Sequence, residues 1–79
     1  MNEKQVLTTI EKALGLPEGK LNGLTQSSEI AEWDSLGHLS ILAALDREFN
    51  GKVASIRELA SAASVPQILN QLKQHGLLQ

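Results

Sequence analysis

Apolar residues recur at intervals of three and four along this chain, and that spacing fixes its fold class before any other feature is weighed. Val6, Leu7, Ile10, Ala13 and Leu14 follow the i, i+1, i+4, i+7, i+8 pattern of one buried helical stripe. The Val-Ile alternation of a half-buried strand is nearly absent, and one Trp, one Phe and no Tyr leave little to build a sheet from. The pattern predicts an all-α fold. Asn2 is placed to cap the first helix, and Gly15 followed by Pro17 to end it. A second helix runs from Ser35 to Phe49, with Asp34 as its N-cap and Asn50-Gly51 as its stop. A short third one is signalled at Ser55-Ile56-Arg57-Glu58, where a serine and a glutamate three residues on can cap each other. The last begins near Ser64, tolerates Pro66 in its first turn, turns Val65, Ile68, Leu69 and Leu72 inward, and ends near Gly76. Three main helices plus a short third make a small four-helix bundle.

Residues 15–33 join the first two helices through a stretch rich in Gly, Ser, Thr and Asn. So long a connection is uncommon in a small domain unless it packs or carries function, and Leu16, Leu21, Leu24, Ile30 and Trp33 along it predict packing. No linker or repeat divides the chain, so residues 1–79 form one domain, and a domain of 79 residues has a thin core. An elaborate enclosed active site does not fit in it. The absence of cysteine rules out a disulfide framework and a thiolate zinc site, and His38 and His75 lack ligand-spaced carboxylates around them. The net charge is -2, with Lys4, Lys12, Lys20, Arg47, Lys52, Arg57 and Lys73 scattered singly. That distribution gives neither the basic stripe of a nucleic-acid binder nor a polybasic membrane anchor. No apolar run approaches the roughly 20 residues of a membrane span, and Met1-Asn2-Glu3-Lys4 opens no signal-peptide pattern. These features together predict a soluble cytoplasmic monomer that is not itself an enzyme.

The helix from Ser35 to Phe49 carries more apolar surface than one core needs. At about 100° per residue, His38, Ile41, Leu42, Leu45 and Phe49 share the arc expected to face the other helices. Leu36, Leu39 and Ala43 gather on the opposite side, beside Ser40 and Arg47. Either the long loop folds over these residues, Leu39 above all, or they form a docking surface for a partner. Ser35 stands in the first turn, where unpaired backbone N–H groups and the positive end of the helix dipole favour a phosphate. A serine there also arises for capping reasons alone. His38, three residues on, could be paired with Ser35 as a base, but no G-x-S-x-G turn or third orienting group accompanies it. Packing of its ring near Trp33 is the simpler expectation.

The segment Glu32-Trp33-Asp34-Ser35-Leu36-Gly37-His38-Leu39, followed by Leu42-Ala43-Ala44-Leu45 and Glu48-Phe49, resembles the acyl carrier protein family, whose prosthetic-group site is an Asp-Ser-Leu triplet opening the second helix. The resemblance covers nearly the whole chain: first helix, long loop, the Leu45-Asp46-Arg47-Glu48-Phe49 ending, short third helix and the Ser64-Val65-Pro66 entry to the last helix follow in order. It is similar to the stand-alone carriers of bacterial biosynthetic clusters rather than to the strongly acidic fatty-acid carriers. The resemblance implies that Ser35 is the attachment point of 4′-phosphopantetheine, delivered from coenzyme A by a phosphopantetheinyl transferase, whose terminal thiol would hold an acyl or aminoacyl group as a thioester. It implies further that Asp34 lies near the magnesium ion used in that transfer, and that Leu36 contacts partner enzymes.

Acidic carriers line this region with carboxylates, whereas here it holds Gly37, His38, Ser40, Ala43, Asp46, Arg47, Glu48, Lys52 and Arg57. Partners would therefore be chosen through Leu36, Leu39 and Ala43 more than through charge, with Arg47 beside them as a further partner-binding candidate. The partners implied are the transferase, an acyl- or aminoacyl-loading ligase, and downstream synthase or transferase enzymes. The residues do not separate an acyl carrier from a peptidyl carrier of a non-ribosomal pathway. An unmodified helical interaction module, with Ser35 a mere cap, is the alternative of another class. A lipid-like cargo could also fold back between the second and third helices if the Asn50–Ser55 segment yields.

Overall fold

The computed structural model describes residues 1–78. Three α-helices carry the fold: α1 (Glu3–Leu14), α2 (Ser35–Glu48) and α3 (Val65–Gln74). The remainder is 3₁₀ turns and irregular chain, with one isolated antiparallel bridge between Gln26 and Ser64 and no strand among the described residues. The all-α expectation holds.

Each α-helix starts where a local side chain can satisfy its first N–H groups. Asn2 Oδ1 accepts from Gln5 N–H at 2.9 Å while Gln5 Oε1 accepts from Asn2 N–H at 2.9 Å, a complete capping box. Asp34 Oδ1 accepts from Gly37 N–H at 2.8 Å, and Ser64 Oγ from Gln67 N–H at 3.2 Å. The helix ends follow the same local logic: Gly15 closes α1 with φ 72°, and Asn50 and Gly51 take φ of 56° and 84° just beyond α2.

The four inward residues of α3 are those expected, Val65, Ile68, Leu69 and Leu72. In α2 the expected stripe is buried at Ile41, Leu45 and Phe49 and half-buried at His38 and Leu42. In α1 only Val6, Ile10 and Leu14 of the apolar stripe are fully buried, and they are joined by a carboxylate, Glu11, at 4% exposure.

Glu11 accounts for the course of the long connection. Its Oε2 accepts from the backbone N–H groups of Gly19 at 3.0 Å and Leu21 at 2.9 Å, so it ties the first part of the loop to α1. Leu21, Ile30 and Trp33 then enter the core. Leu24 does not: the expectation that the loop leucines pack fails there, because the turn over Asn22–Thr25 turns its side chain outward at 78% exposure. Further on, Val65 N–H donates to the Thr25 carbonyl at 2.8 Å and Ser27 N–H to the Ala63 carbonyl at 2.8 Å, which fastens the loop beside the start of α3. Glu11→Ala would leave two backbone donors unpaired, one of them buried. A loss of about 2–3 kcal/mol is expected, read from the urea midpoint, with Glu11→Gln retaining part of it through its amide oxygen.

The short third helix requires correction. Residues 53–61 form two 3₁₀ turns, Val53–Ser55 and Arg57–Ser61, separated by an extended Ile56 (φ -94°, ψ 95°). The proposed reciprocal cap is absent: Ser55 Oγ donates back to the Lys52 carbonyl at 2.9 Å, and no side chain caps the turn that follows Ile56. The buried residues explain the choice. Val53, Ile56, Leu59 and Ala62 lie three apart, which is the period of a 3₁₀ turn and not of an α-helix.

Candidate functional site

The first turn of α2 is held from two sides. Asp34 caps it from outside, and on its inner side Gly37 lies so close to the preceding loop that a Cβ there would collide with the carbonyl oxygen of Glu32 and stand 2.9 Å from Leu14 Cδ2. Ser35 is the first residue of the helix and is exposed. Its hydroxyl makes no hydrogen bond among the described residues, and the N–H groups of Ser35 and Leu36 likewise find no protein acceptor, while those of Gly37 and His38 are taken by Asp34. A free hydroxyl beside two free N–H donors at a helix start is arranged to accept an anionic substituent.

Trp33 and His38 form one wall beside Ser35. Their rings meet edge to edge, with centroids 6.2 Å apart and planes 11° from parallel. Trp33 Nε1–H donates to His38 Nδ1 at 3.0 Å, and His38 Nε2 lies 2.8 Å from the Leu59 carbonyl oxygen. A carbonyl only accepts, so Nε2 carries the proton and Nδ1 is the acceptor. Both ring nitrogens are thereby spent on bonds that tie the loop, α2 and the 57–61 turn together. Neither is left to take a proton from Ser35, and His38 has the packing role that its position beside Trp33 suggested.

An open cleft of about 560 Å³ runs from Ser35 between this wall and the alanines at 60, 62 and 63. A second cleft of about 300 Å³ continues it toward Ala43, Asp46 and Ile56, and the two meet at Leu42 and Ala60. No family model, curated protein or solved structure matches this chain.

The docking residues named from sequence fall into two groups. Leu36 and Leu39 are 75% and 61% exposed, so the loop does not cover Leu39, and Ala43 is exposed with them. Leu39 borders the larger cleft and Ala43 the smaller. Arg47 is exposed but lies twelve residues beyond Ser35, about 18 Å along the helix, where it lines a groove with Thr9 and Lys12 of α1. The structure does not bring it to the Ser35 end. His75 sits at the end of α3, and no group of three or more His, Asp or Glu side chains able to hold a metal ion occurs among the described residues.

Two features of the site are missed in the sequence, the glycine required at 37 and the bond from His38 to Leu59. Outside the site the outward Leu24 is missed as well, although the Asn22-Gly23 turn dipeptide immediately before it is a signal.

Proposed function

We propose that the protein is a carrier of the acyl carrier type, built as a small four-helix bundle in which the 3₁₀ turns at 53–61 stand in for the third helix, and that it holds acyl or aminoacyl groups on 4′-phosphopantetheine attached to Ser35. The observation that carries this reading is the geometry of Ser35: an exposed, unbonded hydroxyl at the first position of a capped helix, with two unpaired N–H donors beside it and an open cleft alongside. The residues present fit the group. Its phosphodiester would lie where the helix start favours negative charge, and the cleft leaves room for a flexible arm. The arm's terminal thiol supplies the thioester bond to the cargo, which a chain without cysteine cannot supply itself.

What the chain does is hold and present. Asp34 fixes the helix start on which Ser35 stands, and Trp33 and His38 brace the loop behind it. Carrying cargo on an arm from a rigid helix end turns encounters with successive enzymes into high effective concentration. Leu36, Leu39 and Ala43 form the surface those enzymes would meet: the phosphopantetheinyl transferase first, then a loading ligase and the synthase or transferase that consumes the cargo. Among the described residues no helix is long and apolar enough to cross a membrane.

Incubation with coenzyme A, magnesium and a promiscuous phosphopantetheinyl transferase tests the reading. The expected result is one phosphopantetheine added per chain by intact mass. An unmodified chain, under conditions that modify a control carrier, would favour the interaction module instead.

Contact with the transferase should depend on apolar surface more than on charge, because no charged side chain lies between Ser35 and Leu45. Leu36→Ala is expected to lower kcat/KM for loading by about tenfold, as 1–2 kcal/mol of lost apolar contact implies. Raising salt from low to physiological strength should leave kcat/KM within about threefold. Loading that collapses over that salt range would show that charge does the recognising.

A further inference from the structure

Asn-Gly occurs twice in the chain; both asparagines are exposed, and the two copies differ in whether the glycine N–H is hydrogen-bonded. At Asn50-Gly51 the glycine N–H donates to the Asp46 carbonyl at 2.9 Å in the turn that closes α2. At Asn22-Gly23 the glycine N–H has no acceptor among the described residues, and Asn22 is exposed. Asn22 Oδ1 instead accepts from Leu24 N–H at 2.7 Å. That bond folds the carboxamide back over the peptide that follows it. It also aims a donor at the amide oxygen, where negative charge gathers when a nucleophile adds to Cγ. Gly23 has no side chain to obstruct the approach.

We propose that Asn22-Gly23 is a site of spontaneous succinimide formation, at which the folded chain ages to isoaspartate while Asn50 is spared. The Gly23 amide nitrogen gives its proton to solvent and bonds to Asn22 Cγ. The Cγ–Nδ2 bond breaks, and Nδ2 leaves as ammonia after taking up a proton. One solvent water then opens the ring, at the main-chain carbonyl to give isoaspartate or at Cγ to give aspartate. The sum is an amide and water converted to a carboxylate and ammonium, with no redox change.

The product adds a negative charge and, as isoaspartate, one methylene to the main chain. It falls between Leu21, whose N–H is held by Glu11, and Thr25, whose carbonyl receives Val65 N–H. Modification would therefore shift the register of the loop between its two fastenings.

The full chain is incubated at neutral pH and 37 °C and sampled by peptide mapping, with isoaspartate scored by an isoaspartyl carboxyl methyltransferase. Asn22 should convert about tenfold or more faster than Asn50, because Gly51 must first open a bonded helix end. In denaturant the two rates should converge. Asn22→Ser, which keeps a turn-forming oxygen, should lower the methylation signal at least about tenfold, to what Asn50 alone supplies. Equal rates at the two sites in the folded chain, conversion at Asn22 only after denaturation, or a methylation signal undiminished by Asn22→Ser would overturn the proposal.

Discussion

Gly37→Ala should lower stability by about 2–3 kcal/mol and move the thermal midpoint down by about 10 °C or more, although on helix propensity alone alanine is better than glycine by about 1 kcal/mol. The propensity gain is outweighed because the new Cβ would meet the Glu32 carbonyl oxygen, which is backbone and cannot swing aside as a side-chain tip does. Leu14 Cδ2, buried in the core, would also stand only 2.9 Å from the added Cβ. Overpacking of this kind usually costs 1–3 kcal/mol, and relief here requires moving residues 32–34. Those residues include Trp33, whose indole bonds to His38, and Asp34, the helix cap. Gly37→Ala should therefore lose loading by the transferase as well as stability, with the two measured by thermal unfolding and intact mass. A variant as stable as the wild type would mean that the loop and the first turn of α2 are not packed as described.

The reason this glycine escaped sequence reading separates what is legible from what is not. The caps Asn2 and Asp34, and the start of the last helix near Ser64, are legible because each of these residues bonds to a backbone N–H three residues ahead, within one short string of sequence. The inward faces of α1 and α3 were found because helical period alone generates them. Gly37 is obligatory only because Glu32 passes behind it, and His38 is anchored by a carbonyl 21 residues away. Glu11 looks like one more solvated charge until Gly19 and Leu21 are folded onto it. These depend on contacts that no local window contains. Residues 53–62 are a different failure, since the Ser55–Glu58 capping pattern points to a helix there while the three-residue spacing of Val53, Ile56, Leu59 and Ala62, equally visible, points to 3₁₀ turns.

Ser35→Ala separates chemistry from architecture in a way that Gly37→Ala cannot. The Ser35 side chain is exposed and makes no hydrogen bond among the described residues, so its removal should change stability by no more than about 0.5 kcal/mol. Loading should nevertheless fall to nothing measurable, because the hydroxyl is the nucleophile in the proposed transfer and Ala offers no other. Asp34→Ala should fall between the two: loss of the cap costs about 1 kcal/mol and loosens the turn that presents Ser35, so loading should slow without ceasing. The pattern across the three variants is more informative than any one of them. A stable chain that no longer loads, a cap variant that loads slowly, and a glycine variant that loses both would locate the function at the hydroxyl and its support in the turn beneath it. If Ser35→Ala still gained phosphopantetheine, the attachment point would lie on another hydroxyl, and the free N–H groups at the start of α2 would have no part in binding its phosphate.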